Sequence, residues 1–294
     1  MSKTSIIIPS RGETKENLNR TLESIFMNAT GDYEVIVGLN GKPHTHIAYD
    51  NVKVVALPEN VGIKTMVNLL VATASGKYIY KSDAHCSFGK GFNEILQENM
   101  EDNWVVTPRF YVLDGKTWQW QDERFYDYFY LCCPLTDPKG LRFKAGGHWP
   151  QLTQERLVSH PTVDETPQFH GSGWFMTKDR FFELGGFPID DPYGHGQEPL
   201  WFGLRNWLMG GKTMVNKKTW YAHLHQSSSE RGYPENKQET EVTYNLVAKH
   251  FIGDKGNYLH NFQWFIEKFY PMPTWPDNWR ELLVNWRKQN GEAI

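Results

Sequence analysis

The chain is poor in cysteine and has no long apolar run. Only 3 of its 294 residues are cysteines, and Cys132 and Cys133 are adjacent, a pattern that supports neither a disulfide framework nor a zinc knuckle. Nowhere do about 18 apolar residues run together, as a membrane-spanning helix requires. The apolar run in "TSIIIPS" near the N-terminus is too short for a secretory signal. We therefore expect a cytoplasmic protein without a membrane span.

The chain also has no large excess of positive or negative charge. The chain has 31 basic and 34 acidic residues, for a net charge of −3, so no overall field draws it to nucleic acid. Aromatic residues are abundant instead, at 15% of the chain with 12 tryptophans. Tryptophan and tyrosine combine a large apolar surface with a polar group. This composition suits a globular protein with a wide groove lined by aromatic rings.

Strand and helix patterns alternate through about the first hundred residues. Buried strands are predicted for "TSIIIPS", "YEVIVGLNG", "VKVVALP" and "KYIYKSDAH". Helices are predicted for "TKENLNRTLESIFMNA", capped by Thr14, and for "NVGIKTMVNLLVATASG", ended by Gly76. This alternation predicts an α/β fold with a mainly parallel central sheet flanked by helices. In such folds, ligands bind at the carboxyl ends of the strands.

The rest of the chain has a different pattern of predicted elements, with longer loop segments between them. A strand is expected in "NWVVTPRFYVLD", a helix in "GHGQEPLWFGLRNWLMGGK" and a last strand in "TMVNKKTWYAHLHQ". Residues 227–240 are polar and predict a mobile loop, and two helical patterns follow within 239–288. We predict a catalytic domain over 1–229, with an aromatic acceptor-side insertion over 115–150, and a C-terminal loop and helical extension over 230–294.

Asp83 and His85 lie two residues apart at the end of the fourth predicted strand. Side chains two apart point to the same side of an extended segment, and carboxylate and imidazole groups are common metal ligands. An isolated pair of this kind is more often a turn cap beside a packed histidine. The metal interpretation therefore depends on the surrounding sequence.

Several separate stretches resemble one known family and occur in that family's order. The chain resembles a nucleotide-sugar glycosyltransferase of the GT-A fold, in the broad family 2 group, and its second half is most similar to the polypeptide N-acetylgalactosaminyltransferases. The resemblance covers roughly residues 4–226. The stretches that carry it are "SIIIPSRGE", "ENVGIKTMVNLLVATASGKYIYKSDAHCSF", "NWVVTPRFYVLD", "GSGWFMTKDRFFELGGFPIDDPYGHGQE", "RNWLMGGK" and "WYAHLHQ". The implied fold is a Rossmann-like GT-A domain with a C-terminal helical extension.

The resemblance implies a metal site formed by Asp83, His85 and His223, the last from a distant strand. A divalent cation there neutralises the diphosphate leaving group of a sugar donor. A mixed carboxylate–imidazole set suits Mn²⁺ better than Mg²⁺, which prefers oxygen ligands. The implied cofactors are therefore Mn²⁺ (or Mg²⁺) and a nucleotide-sugar donor, with a UDP-sugar expected.

The resemblance also implies residues that hold the donor. Asn40 marks a departure, because related sequences carry an acid after the second strand to hold uracil; its amide could still bond a base edge. Trp174 is a candidate to stack on the donor sugar, with small glycines beside it to let the backbone approach. The donor-binding candidates are Pro9, Ser10, Arg11, Glu13, Asn40, Asn60, Gly62, Lys64, Ser82, Asp83, Gly171, Gly173 and Trp174.

Glu198 and Asp83 are the candidate catalytic residues. Glu198 lies in "GHGQEP". It sits where the family carries a glutamate, but Pro199 follows it where inverting members have an aspartate base. A prolyl ring cannot accept a proton, so we expect a retaining mechanism in which the diphosphate helps to deprotonate the acceptor. The alternative for Glu198 is a structural salt bridge to Arg205.

The acceptor is the least determined part of the interpretation. Two acceptors stay open: a glycan, and a hydroxymethylated base in viral DNA. Trp118, Trp120, Tyr126 and Tyr128 could stack on either. The absence of a membrane anchor and a lectin module favours a bacterial or viral-infected host cell. Basic residues that would contact DNA are Lys139, Arg142, Lys144, Lys212, Lys217, Lys218, Arg231 and Lys237.

Two functions from other classes compete with this interpretation. His44, His46, His223 and His225, together with the Asp83–His85 pair, could form a zinc hydrolase site. A non-catalytic carbohydrate-binding protein is the other alternative. Neither is favoured, because no short-spaced helical histidine pair with an adjacent glutamate is present and the metal set is complete.

Overall fold

The computed structural model describes residues 1–41, 47, 49–143, 147–188, 198–227, 230–233 and 237–292. The strands are β1 Thr4–Ser10, β2 Tyr33–Asn40, β3 Val52–Leu57, β4 Tyr78–Ser82, β5 Cys86–Phe88, β6 Trp104–Leu113, β7 Trp120–Tyr126, β8 Phe129–Tyr130, β9 Gly147–His148, β10 Val163–Glu165, β11 Gly173–Thr177 and β12 Lys212–His223. The α-helices are α1 Lys15–Asn28, α2 Ile63–Thr73, α3 Phe92–Ile95, α4 Pro150–Ser159, α5 Lys178–Glu183, α6 Arg205–Leu208, α7 Lys237–Ile252, α8 Phe262–Phe269 and α9 Trp279–Asn290. A π-helical segment, Pro199–Leu204, leads directly into α6.

The central sheet has the strand order β10-β12-β6-β11-β4-β1-β2-β3, and β5 and β7 pair with β12 and β6. Strands β1 to β4 contribute parallel pairs, and β6 pairs in parallel with β12. Strand β11 runs antiparallel between β4 and β6. Helices cover the sheet, which confirms the predicted α/β fold with a mainly parallel sheet.

Both faces of β1 are buried because helices pack on each side of the sheet. Ile6 and Ile8 join a cluster with Leu22 of α1, whereas Ile7 packs on the other face with Met66 of α2. A strand covered on two faces reads as a continuous apolar run, which is why "TSIIIPS" predicts β1 so clearly. The predicted cap of α1 is confirmed, since the Thr14 hydroxyl accepts a hydrogen bond from the Asn17 amide at 3.1 Å.

Two predictions about these elements need correction. Strand β3 is half-exposed rather than buried, because it lies at the end of the sheet. Helix α2 ends at Thr73, before Gly76. That glycine instead permits a close approach, since a Cβ there would lie 2.7 Å from the Lys3 carbonyl oxygen.

The C-terminal part contains three helices, α7, α8 and α9, rather than the two that were predicted. Their apolar faces form a cluster with residues far earlier in the chain, including Leu131, Phe143 and Trp207. No helix in the described part of the chain is long and apolar enough to span a membrane. The mobility predicted for 227–240 is untested, and residues 228–229 and 234–236 lie outside the described residues.

Candidate active site

Strand pairing brings the three predicted metal ligands together. Asp83 directly follows β4, and its amide donates to the Ser172 carbonyl at 3.0 Å. His223 ends β12, which pairs antiparallel with β5 so that His223 lies opposite Cys86. The Leu224 amide then donates to the His85 carbonyl at 3.0 Å. Two segments distant in sequence are thus fixed side by side at the ends of their strands.

The side chains of Asp83, His85 and His223 converge on one point. One potential ligand atom from each lies within 4.8 Å of the others. His223 Nε2 lies 3.1 Å from His85 Nε2 and 3.2 Å from Asp83 Oδ2. Burial would raise the pKa of Asp83, but the Lys81 ammonium and the His223 ring outweigh it and hold that pKa well below its usual range. The carboxylate is therefore charged at neutral pH.

This donor set fits a divalent cation. Two facing imidazole nitrogens can form a hydrogen bond only when one of them carries a proton. A cation between them can instead bind the lone pairs of both. Burial lowers the pKa of His223 well below its ordinary value, against the pull of Asp83. His85 Nδ1 contacts Glu13 Oε2 at 2.5 Å, the kind of carboxylate contact that orients a metal-binding histidine. Glu13 therefore positions His85, and its contact with the nucleotide stays a prediction.

Lys81 is the buried cation of the site, and the sequence interpretation missed it. It is 1% exposed, and its Nζ donates to Asp83 Oδ1 at 2.6 Å, to Glu198 Oε2 at 3.1 Å and to the Gly171 carbonyl at 2.8 Å. Burial would lower the pKa of Lys81, but the two carboxylates raise it above its ordinary value. The sequence does contain a signal for Lys81, because it is a charged residue inside an otherwise apolar strand, two positions before the candidate ligand Asp83.

Glu198 meets Lys81 rather than Arg205, which excludes the salt bridge proposed as its alternative role. Arg205 instead donates to the Leu184 carbonyl and lies over the Trp201 ring. Burial raises the pKa of Glu198, and the Lys81 ammonium offsets only part of that effect. Glu198 Oε1 is buried without a hydrogen-bond partner among the described residues. One carboxylate oxygen is thus anchored while the other has no partner.

A cavity of about 600 Å³ opens over this cluster. Its wall joins the β1–α1 loop, the ends of β4 and β12, the turn before β11 and the start of the C-terminal part. The predicted residues that line it are Pro9, Ser10, Arg11, Glu13, Asn40, Asn60, Gly62, Asp83, His85, Gly171, Glu198 and His223. Further lining residues, none of them predicted as donor-binding, metal-binding or catalytic residues of the transferase, include Lys81, His225, Gln226, Arg231, Tyr233, Thr240 and Tyr244.

Comparison with known protein families places the chain. The family description "Glycosyl transferase family 2" matches residues 5–160, more than half of the sequence. The chain belongs to glycosyl transferase family 2. The match covers the first predicted strand, the Asp83–His85 segment and the aromatic stretch that follows β6.

Individual relatives of this family 2 glycosyltransferase are distant. A polypeptide N-acetylgalactosaminyltransferase 3 of Taeniopygia guttata is 22% identical over 321 residues, which cover 93% of this chain and 51% of that protein. The Mus musculus protein of the same name is 23% identical and covers 93% of this chain and 50% of its own length. The chain thus spans about half the length of these curated relatives.

Solved structures support the fold. The crystal structure of GalNAc-T7 with UDP, GalNAc and Mn²⁺ aligns with a TM-score of 0.72 at 15% identity, over 93% of this chain and 59% of that one. S. aureus TarS 1-349 in complex with UDP-GlcNAc aligns with a TM-score of 0.58 at 12% identity, over 98% of this chain and 74% of that one. These alignments confirm the GT-A architecture.

Two residues that were predicted to hold the nucleotide-sugar donor, Asn40 and Asn60, make hydrogen bonds within the fold of this family 2 chain. The Asn40 amide donates to the Gly62 carbonyl at 3.1 Å and accepts from the Val61 amide at 2.9 Å, so both its ends hold the loop before α2. Asn60 Oδ1 accepts from the Gly62 amide at 3.1 Å. The prediction that Asn40 bonds a base edge is therefore not supported by this geometry.

Four other donor-binding candidates do not line the cavity. Ser82 and Lys64 are buried; the charge of Lys64 lowers the pKa of Glu198, although burial raises it overall. A Cβ on Gly173 would meet the Tyr221 and Tyr80 rings at 2.9 Å, so this glycine makes room for tyrosines. Trp174 is wrong as a sugar-stacking residue, because its fully buried ring packs on Phe181 and Phe202.

The aromatic segment is partly core and partly surface. Tyr128 is fully buried and donates to Asp164 at 2.7 Å, and Trp118 is 8% exposed beneath the Arg20 guanidinium. Trp120 is 41% exposed and stacks near Trp220, with ring centroids 4.7 Å apart. Trp120 is the residue of this set that best offers a ring to a ligand.

The start of the C-terminal part closes the cavity from the other side. The Arg11 guanidinium lies over the Tyr233 ring at 4.7 Å from its centroid. A Cβ on Gly232 would lie 1.7 Å from the Gly12 carbonyl oxygen, so only glycine permits this approach of two backbones. The donor-side loop and the segment after β12 therefore form one continuous wall.

Proposed function

We propose that this chain is a metal-dependent glycosyltransferase that moves a sugar from a UDP-sugar to a hydroxyl group. The observation that carries the proposal is the convergence of Asp83, His85 and His223 within 4.8 Å on the wall of a cavity of about 600 Å³. The aligned crystal structures of GalNAc-T7 with UDP and Mn²⁺ and of TarS with UDP-GlcNAc support the same donor class for this chain.

In this proposal, Asp83, His85 and His223 hold Mn²⁺, which when bound supplies positive charge against the diphosphate. Glu13 keeps the His85 ring oriented, and Lys81 keeps the Asp83 carboxylate charged and aimed. Arg11, exposed at the cavity wall, contributes a second positive charge toward the diphosphate. The closed wall of the cavity excludes water around the sugar, which limits loss of the donor by hydrolysis.

We propose that the transfer retains the anomeric configuration. The bond from the anomeric carbon to the phosphate oxygen breaks, the acceptor oxygen bonds to the same face, and the acceptor proton passes to the departing phosphate. Support comes from Pro199, which cannot act as a base. NMR of the product should show an α-linkage from an α-linked donor; a β-linkage would overturn this step.

We propose a glycan rather than modified DNA as the acceptor. Among the described basic residues suggested for DNA contact, Lys217 is buried against Tyr128. Lys212 pairs with Glu165 at 3.4 Å and Lys218 with Glu98 at 2.9 Å. Arg142 pairs with Glu241, while Lys144 lies outside the described residues. Salt-dependent retardation of DNA in a gel shift would favour the DNA acceptor instead.

The test is release of UDP from a panel of nucleotide sugars with Mn²⁺ and no acceptor. We expect slow, chelator-sensitive hydrolysis of a UDP-sugar. Asp83→Asn and His223→Ala should each lower it by at least about a hundredfold, since each removes a ligand to the charge that stabilises the leaving group. His160→Ala is the control, because this half-exposed histidine lies on α4's C-terminal side, outside the cavity lining. Equal rates in all variants would contradict the assigned metal site.

A further inference from the structure

Three histidine rings meet beside the Asp83 carboxylate. His170, His223 and His225 each present a potential ligand atom within 4.8 Å of the other two. Their ring centroids are 5.3 Å apart for His170 and His223, 5.6 Å for His170 and His225, and 5.0 Å for His223 and His225. The rings thus form a closed triangle. Of these residues, only His223 belongs to the ligand set described above.

Hydrogen bonding prepares His170 to act as a ligand. Its Nδ1 lies 2.6 Å from Ser172 Oγ, and that hydroxyl donates to Tyr221 OH at 3.0 Å. The Ser172 amide also donates to Nδ1 at 3.4 Å, so Nδ1 is held by two groups of Ser172. Nε2 is then the nitrogen of His170 that is available to a metal, as in the common pattern of a metal-binding histidine whose other nitrogen is held by a fixed partner.

The ring of His170 is also held in place. It stacks on Phe110 with centroids 4.7 Å apart and planes 4° from parallel. His225 is exposed and meets the same Phe110 ring edge-on at 5.8 Å. His223 Nδ1 is buried without a hydrogen-bond partner among the described residues. The triangle therefore combines two packed rings with one exposed ring.

The chemistry of this triangle differs from that of the Asp83 site. Three imidazoles and no carboxylate make an all-nitrogen set, which favours Zn²⁺ over Mn²⁺. In a tetrahedral zinc site with Zn–N bonds of about 2.0–2.1 Å, ligand nitrogens lie about 3.3 Å apart. Closing the triangle from 4.8 Å or less shortens each nitrogen–nitrogen distance by about 1.5 Å at most, which small rotations shared among the three side chains provide.

We propose that His170, His223 and His225 form a second metal site that takes Zn²⁺, with water as the fourth ligand. Because His223 belongs to both ligand sets, zinc in this site withdraws it from Asp83 and His85. The chain then loses one of three ligands for Mn²⁺, so zinc acts as an inhibitor. The inhibitory consequence rests on the proposed transferase function, whereas the site itself does not.

The site is tested directly with Co²⁺, which replaces zinc and absorbs strongly in the visible range when it is tetrahedral. We expect one equivalent of Co²⁺ to give these bands with the full chain, and His225→Ala to abolish them. Asp83→Asn should retain them, because Asp83 is not in the triangle. Bands that persist in His225→Ala, or that vanish in a folded Asp83→Asn protein, would overturn the proposal. Circular dichroism establishes that each variant is folded.

The inhibitory role is tested by titrating Zn²⁺ into the Mn²⁺-dependent release of UDP. His225→Ala should raise the half-inhibitory zinc concentration by at least about tenfold, the loss that even a change outside the ligand shell produces. His160→Ala should leave it unchanged. If zinc inhibits the His225→Ala protein as strongly as wild type, zinc acts through the Asp83 site and the inhibitory role is wrong. If no transferase activity is found, the cobalt bands still decide whether the second site exists.

Discussion

One lysine side chain joins two carboxylates to which we assign different roles. Lys81 Nζ contacts Asp83, which we assign to the metal, and Glu198, which we assign to the sugar and acceptor. Removing one partner of a buried ionic cluster leaves an uncompensated charge in a low-dielectric environment. We therefore regard Lys81 as a positioning residue that sets the charge and the direction of both carboxylates.

Replacing Lys81 by methionine should damage metal binding and stability together. We expect Lys81→Met to lower the free energy of unfolding by about 3–5 kcal/mol. It should also raise the Mn²⁺ concentration that half-activates UDP release, because Asp83 loses its buried counter-ion. Urea unfolding and a Mn²⁺ activation curve provide the two measurements.

Lys218→Met is the matched control, since that lysine makes an exposed ion pair with Glu98 and exposed pairs contribute little. Lys81→Arg, which keeps the charge, should recover part of the Mn²⁺ activation. A Lys81→Met protein with unchanged Mn²⁺ activation would show that Lys81 has only a structural role.

Individual residues differ in how far the sequence can predict them. Asp83 and His85 could be predicted from the sequence, because their spacing on an extended segment and their place at a strand end both indicate a ligand site. The burial of Trp174 could not be predicted from its motif, since it depends on β11 being covered on both faces. Lys81 required knowing that Glu198, distant in sequence, would reach the same place.

At the scale of elements, Glu34 ties three segments of the sheet together. Its carboxylate on β2 accepts from Ser5 Oγ of β1 at 2.6 Å and from the Ser75 amide before β4 at 2.7 Å. Burial would raise the pKa of Glu34, but these hydrogen bonds and Lys53 lower it to about 2. The charged form is thus the one that holds β1, β2 and the approach to β4 in register.

This contact should make part of the stability depend on pH. The pKa of Glu34 is lower in the folded state, so its contribution is fully present above its unfolded pKa of about 4.3 and is lost as the pH falls toward 2. Glu34→Gln should therefore cost about 2 kcal/mol at pH 7, allowing for screening by solvent. The difference from wild type should shrink as the pH falls from about 5 to 3.

Chemical denaturation at several pH values measures this difference, with Glu16→Gln as the control because Glu16 is 78% exposed. A Glu34→Gln deficit of the same size at pH 3 and pH 7 would contradict the assignment to the charged carboxylate.

Strands and helices were predicted best where the hydrophobic pattern alone determines the element. The β1 and β4 segments are mostly apolar runs that end in polar residues, and they form strands with bounds close to the predicted ones. Strand β3 has the same composition but lies at the sheet end, where one neighbour is missing. The predicted break at "YPMPTWPDNW" does separate α8 from α9, whereas the break between α7 and α8, over residues 253–261, was not predicted.

At the scale of the whole molecule, the C-terminal helices share a core with the central region. Trp279 of α9 is fully buried and belongs to a cluster with Leu131, Leu200 and Phe251. The predicted division at residue 229 runs through this shared core. We expect residues on both sides of that division to unfold in one cooperative transition, since neither side retains a complete core without the other.

Trp279→Ala should lower the free energy of unfolding of the whole chain by about 3–5 kcal/mol, the usual cost of emptying a large core site. Near-ultraviolet circular dichroism and tryptophan fluorescence should report the same shifted midpoint. Leu259→Ala is the control, because Leu259 is 73% exposed and should change stability little. Two separate transitions, with one left unshifted, would support an independent C-terminal unit instead.

The pairing of β5 with β12 has a consequence for the order of events during synthesis. His85 and His223 are separated by 138 positions, and the second arrives on the last strand of the sheet. A growing chain carries Asp83 and His85 before His223 has been made, so it lacks one of the three proposed metal ligands until β12 is synthesised and paired. The proposed Mn²⁺ site is therefore complete only in a nearly finished fold.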